Sequence, residues 1–412
     1  MKTIKVVIGK NFGDEGKGAV TNWLCQGQNA LVVRHNGGAQ AGHTVETDTA
    51  RFIFHQLGSG SFQGCPTFWS HTFLPDLLKL GEEMEDFYHT VKNASNMFAT
   101  NIYAHPSCVC VTVYDVLLNS LRERLRGKDR HGSCGMGIFE TVLRTNRRKA
   151  ILRLHDFQNA NLDFILSKLR FIRDYDTNSQ LSELRASDPE QFQDPEISQW
   201  ADLIADDNVL YNAATEMLEN FNRYIILSDW PHIREQFDTV LFENAQGLML
   251  DWDNEAYFPH LTASHTGLKN ITSLITDFKE QIHDMEIIYV TRTYVTRHGA
   301  GRLDHECTRE DINPYMTDFT NRPNPWQGAL RYARHPVGTE FFQYIQRDRK
   351  HLPQGLFPRT SLLFTHPDET NGKVLFTDQD RTLEEVTAYC RKQAPGLFHR
   401  IHYHCFLPLQ HK

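Results

Sequence analysis

Val6-Val7-Ile8 is a β-branched run that ends at Gly9. Shortly after it comes Gly13-Asp14-Glu15-Gly16-Lys17-Gly18, and then Ala19-Val20-Thr21-Asn22-Trp23-Leu24, which can continue as a helix. Few folds satisfy that order. A short apolar strand, a glycine loop that aims main-chain N–H groups at one point, and a helix behind it form the opening of a nucleotide-binding α/β fold. Lys17 adds a point charge for a phosphate. The full phosphate-loop pattern is not present: Asn11 stands where that pattern has its first glycine, and Gly18 where it has a magnesium-holding hydroxyl. What sets the loop apart is Asp14. A carboxylate among amides aimed at an anion repels that anion unless it holds a metal, takes a proton, or does both.

The rest of the chain continues the theme. Ala30-Leu31-Val32-Val33-Arg34 reads as a second strand, and residues 239–242, 287–290 and 361–364 read as further buried parallel strands. Polar residues or glycines follow each, where such sheets place their ligands. Residues 74–90 and 111–125 carry apolar side chains near the helical period, and 152–234 reads as a helical insertion with a solvated face. With no internal repeat and no linker, residues 1–412 are expected to form a single α/β domain with a largely parallel central sheet and flanking helices. No stretch approaches the ~18 apolar residues of a membrane span, and the amino-terminal apolar run is too short for a signal peptide, so a cytoplasmic protein is expected. The eight cysteines form no C-x-x-C pairs, and Cys108-Val109-Cys110 alternates like a buried strand. A net charge of −8 without a basic stripe argues against nucleic acid as a partner, though not against small anions bound by local donors.

A second glycine cluster, Asn36-Gly37-Gly38-Ala39-Gln40-Ala41-Gly42-His43-Thr44, ends in a histidine that can approach a phosphate or an oxyanion as a general acid. These two loops, followed in order by His55-Gln56-Leu57-Gly58-Ser59-Gly60, Phe242-Glu243-Asn244-Ala245-Gln246-Gly247 and Tyr294-Val295-Thr296-Arg297-His298-Gly299-Ala300-Gly301, resemble the adenylosuccinate synthetase family. The resemblance runs from Val6 to about Asp368, with gaps in the helical insertion.

The resemblance implies a fold related to GTP-binding proteins, a homodimer, and a reaction that joins L-aspartate to carbon 6 of a purine nucleotide after a nucleoside triphosphate has phosphorylated the 6-oxygen. It implies that Asp14 takes the N1 proton and, with the Gly42 carbonyl, holds Mg2+. His43 would stabilise the 6-oxygen, and Lys17 would meet the transferring phosphate. Gly13, Glu15, Gly16, Gly18, Gly42, Thr44 and Asp368 would bind the triphosphate, whose base can be guanine or adenine. The purine nucleotide substrate would meet Asn36, Gln40, Ser133, Cys134, Gln246, Thr262 and Arg297, with Arg144 reaching across the dimer. Thr317 and Arg322, helped by a cation such as Arg331, would take aspartate. In divergent relatives that act on GMP or dGMP the loop aspartate is often serine. Retention of Asp14 therefore points to IMP, with GMP or dGMP leading to (2-amino)deoxyadenylosuccinate as the alternative. A non-catalytic purine nucleotide sensor is the reading from another class.

Overall fold

The computed structural model describes residues 2–93, 101–127, 133–147, 150–316 and 328–404. Nine strands form the central sheet: β1 (Lys2–Gly9), β2 (Ala30–Arg34), β3 (Thr67–Trp69), β4 (Ile102–Ala104), β5 (Ile225–Leu227), β6 (Thr239–Gly247), β7 (Ile282–Arg292), β8 (Arg359–Thr365) and β9 (Arg400–Tyr403). Their spatial order is β9-β8-β7-β1-β6-β2-β3-β4-β5, and every neighbouring pair is parallel. All five strands read from the sequence lie in it.

Alternation along β1 divides the core into two layers. Ile4, Val6 and Ile8 join Val240, Phe242, Tyr289, Phe341 and Phe342 on one face, whereas Val7 joins Val20, Val32, Leu241, Ile288 and Leu363 on the other. Helix α1 (Lys17–Cys25) covers the second face. A third apolar cluster packs the helices Leu77–Asn93, Val113–Arg126, Leu162–Ile172, Pro195–Ala205 and Asp207–Tyr224 around Phe54, Phe87, Leu121, Phe157 and Met217. The segment 152–234 is not helical throughout, because it includes β5, the edge strand of the sheet. Cys108 and Cys110 are buried as expected, yet they lie in no regular strand, and Val109 makes only an isolated bridge to Arg153. Among the described residues no helix is long and apolar enough to cross a membrane.

Parallel strands all deliver their carboxyl ends to one edge. That edge receives the loops after β1, β2, β6, β7 and β8. The pairing of β1 with β6 slips there: Val7 faces Glu243, but Gly9 faces Gly247. The extra residues on β6 form an irregularity there, and Gln246 sits in the left-handed region (φ 65°).

Candidate active site

The Gly13–Gly18 loop is braced from beneath. Glu15 is buried, and its Oε1 accepts from Asn11 N (2.8 Å) and Asn11 Nδ2 (2.9 Å), so the side chain points under the loop; what Glu15 can offer a nucleotide is its main chain. Burial pushes its carboxyl up to about 7, against the pull of Lys17. Burial likewise lowers Lys17, opposed by Glu15, Asp14 and Glu243. A β-carbon at Gly9 would collide with Glu15 Oε2 and come within 3.1 Å of Lys17 Nζ, so that position leaves room only for glycine. Thr365, at the end of β8, ties in from the side, donating from Oγ1 to the Glu15 carbonyl (3.0 Å).

His43 opens a two-stranded hairpin, His43–Glu46 with Arg51–Phe54, and is 5% exposed. Its Nδ1 lies 2.7 Å from Glu243 Oε1. Glu243 in turn accepts from Ser59 N (2.9 Å) and Ser59 Oγ, with Arg34 Nη1 at 3.9 Å. Burial favours the neutral carboxyl of Glu243, but His43, Arg34 and Ser59 outweigh it and hold the group at about 2. Burial, assisted by Arg34 and Lys17, lowers His43 to about 4. At neutral pH His43 is thus an uncharged ring donating Nδ1–H to an ionised Glu243, with Nε2 buried and making no hydrogen bond to the described residues. No role for Glu243 is expected from the sequence. A carboxylate in the apolar run Thr239-Val240-Leu241-Phe242 was the available signal, since a buried charge requires a partner.

Asp14 adopts φ 54° and keeps a carboxylate that is 29% exposed. Its Oδ2 lies 3.3 Å from His298 Nε2, and its carbonyl accepts from Arg292 Nε (2.6 Å). A chain of contacts leads from there toward Asp368: Arg292 Nη1 donates to Tyr294 Oη (2.8 Å), and Tyr294 Oη donates to Glu369, next to the exposed Asp368.

Other expected residues gather around the same edge. Gln246 faces Gly13, and Ser264 Oγ accepts from Gly37 N (3.1 Å), which brings the Thr262 segment to the second glycine loop. Gln40 Oε1 accepts from Gly38 N (2.7 Å) while its Nε2 is buried without a hydrogen bond. Gly42 is exposed and Thr44 half-buried. Ser133 Oγ donates to Asn119 (2.9 Å), burial raises the Cys134 thiol, and Ile138 just beyond them packs at Gly38.

Four of the expected residues are engaged within the chain itself. The buried Asn36 side chain pins Ala245, by Nδ2 to the carbonyl (3.0 Å) and Oδ1 from the N–H (2.8 Å), which makes it a scaffold of the site. Arg144 does not reach outward. It is 1% exposed, with a two-pronged bond to Asp115 (2.9 and 2.8 Å) and further bonds to the Ala150 and Cys110 carbonyls. Arg297 is buried between the Phe12 and Tyr257 rings, and donates to the Arg302 and His260 carbonyls. Arg331 bonds to Glu306 and to the Gly299 and Gly301 carbonyls. Thr317 and Arg322 lie outside the described residues.

Residues 6–323 match the family model described as adenylosuccinate synthetase. The chain is 29% identical over 341 residues to the adenylosuccinate synthetase of Picrophilus torridus, covering 81% of this chain and 74% of that protein. It is 28% identical over 310 residues to that of Tolumonas auensis, covering 73% and 64%. It thus spans about two thirds to three quarters of the length of these relatives. Among solved structures, the fully ligated adenylosuccinate synthetase of Plasmodium falciparum superposes with a TM-score of 0.63 at 17% identity, over 90% of this chain and 79% of that one. The cyanophage S-2L succinoaminodeoxyadenylate synthetase (PurZ), bound to dGMP and to dATP as an energy donor, gives 0.54 at 14% identity, over 89% and 85%. At these identities the structural likeness speaks for the fold.

Proposed function

This chain belongs to the adenylosuccinate synthetase family, whose members are carbon–nitrogen ligases, and on that footing we propose that it condenses a 6-oxopurine nucleotide, IMP foremost, with L-aspartate at the expense of a nucleoside triphosphate. The observation that carries the reading is the meeting of the Asp14 loop with the His43–Glu243 pair at one sheet edge. An oxo group is a poor leaving group and phosphate a good one, so the 6-oxygen must be phosphorylated before an amine can displace it. Asp14 is suited to take the N1 proton, which sends electron density to the 6-oxygen for attack on the γ-phosphate. His43 is suited to meet that oxygen: developing negative charge there and on the phosphates favours its protonated form, and Glu243 behind it stabilises the imidazolium. Lys17, buried at the start of α1, provides a cation for the phosphate in flight.

The partly exposed Asp14 carboxylate and the carbonyl of the exposed Gly42 are hard oxygen donors of the kind Mg2+ takes. When bound, the ion would neutralise charge on the phosphates. Asp368 is a carboxylate fit to accept from guanine, which supports GTP as the donor. The expected homodimer is retained in this reading without a trans contribution from Arg144. The test is direct. Incubation with aspartate, Mg2+, GTP or ATP, and each of IMP, GMP and dGMP should yield a succinylated nucleotide by mass, IMP reacting fastest. No product from any of the three would refute the ligase reading and leave the sensor.

A further inference from the structure

The chain from the end of β7 onward holds the Gly13–Asp14 turn at three points. Arg292 Nε donates to the Asp14 carbonyl (2.6 Å), Thr296 Oγ1 to the Gly13 carbonyl (3.5 Å), and His298 Nε2 lies 3.3 Å from Asp14 Oδ2. Thr296 belongs to a short strand, Val295–Arg297, and His298 follows it two residues on, the spacing that puts extended side chains on one face. The turn after His298 is fixed in its own right, because Arg331 Nη1 takes the carbonyls of Gly299 (3.2 Å) and Gly301 (2.7 Å). His298 is 17% exposed, which places the pair in the wall of the site and not in bulk solvent.

A carboxylate presents two oxygens and turns about its last torsion at little cost. An N–H donor on one oxygen stops that rotation and commits the other to whatever stands in front of it. We infer that His298 is a positioning residue for Asp14: it holds Oδ2 so that Oδ1 is presented to the purine N1 proton. The inference rests on the functional reading above, in which Asp14 is the N1 base. It gives the site two histidine–carboxylate pairs of opposite orientation. In one, His43 faces the substrate with Glu243 behind it; in the other, Asp14 faces the substrate with His298 behind it.

The test compares the full-length wild type with His298→Ala and His298→Gln in the aspartate-dependent synthesis. Glutamine carries an amide N–H close to where the imidazole Nε2 stands, so it keeps the donor and discards the ring. His298→Ala should lower kcat about 10- to 100-fold while KM for the purine nucleotide stays within about threefold, and His298→Gln should recover kcat to within about fivefold of wild type. Should His298→Ala not fold, His298→Leu, which fills the space without a donor, takes its place in the same comparison. An unchanged kcat in the donor-less variant overturns the assignment, as does an equal loss with glutamine or a loss confined to KM. A wild type that makes no product removes the functional reading and this assignment together, whereas an active wild type with an indifferent His298→Ala removes the assignment alone.

Discussion

Replacing Glu243 by glutamine removes one charge and almost no volume from the middle of the site. The native carboxylate is fully buried, and burial opposes its charge, yet His43, Arg34 and Ser59 hold it at about 2. The downward shift marks a folded state that favours the ionised carboxylate. Breaking a buried ion pair typically costs ~3–5 kcal/mol. Glutamine can still accept from Ser59 N, but it removes the carboxylate 3.9 Å from Arg34, whose Nε and Nη2 already make no hydrogen bond to the described residues. At ~2.1 cal/mol/K per residue over 412 residues, Glu243→Gln should lower Tm by roughly 4 °C at pH 7. The sign of the pH dependence is fixed too. A carboxyl held low in the folded state contributes fully above its unfolded value and loses that contribution as pH falls toward its folded value. Melting followed by circular dichroism should therefore show a constant gap between the two proteins down to pH ~4.5 and a narrowing gap below it. Equal Tm values at pH 7, or a gap that persists undiminished below pH 4.5, would refute the charge network.

Arg144→Met should cost about 3–5 kcal/mol of stability in urea unfolding, because it strands Asp115, yet leave KM for the nucleotide within about twofold; a raised KM with intact stability would return Arg144 to the substrate. Burial holds His35 and His335 at about 3 and His43 at about 4, below the ordinary 6.5, so protonation favours the unfolded chain. Stability from these rings is complete above pH ~6.5 and should be lower by roughly 6 kcal/mol at pH 5 than at pH 7, a fall read from urea midpoints and contradicted by equal midpoints. Gly18→Ala would place a β-carbon 2.9 Å from His43 Cβ. It should lower kcat about 10²-fold in a folded protein, since a misplacement of that order at a reacting group has such an effect.

What the sequence discloses follows the range over which its forces act. The loop from Gly9 to Gly18 and the strands β1, β2, β6, β7 and β8 are legible because apolar runs and glycines act on their immediate neighbours. The helix expected from residue 74 begins at Leu77, since Pro75 precedes and Asp76 caps it, with Oδ1 accepting from Leu78 N and Lys79 N. Strands β3, β4 and β5 span three residues each, too few for a period, and exist through pairing with neighbours that are distant in sequence. The same limit applies in the site. Asp14 and His43 stand in glycine loops that mark them, whereas Glu243 is 200 residues from His43 and His298 lies far along the chain from Asp14. Arg144 misled because an arginine on a helix looks the same whether it faces a ligand or, as here, an inward Asp115.

If Asp14 and His43 act as read above, the 6-oxygen of the purine leaves the molecule as part of phosphate. IMP carrying 18O at position 6, incubated with the protein, aspartate, GTP and Mg2+, allows that atom to be followed by mass spectrometry of the inorganic phosphate released. One labelled oxygen in phosphate for each succinylated nucleotide formed is the predicted result. Unlabelled phosphate accompanying the product, or phosphate released with no succinylated product, would contradict it.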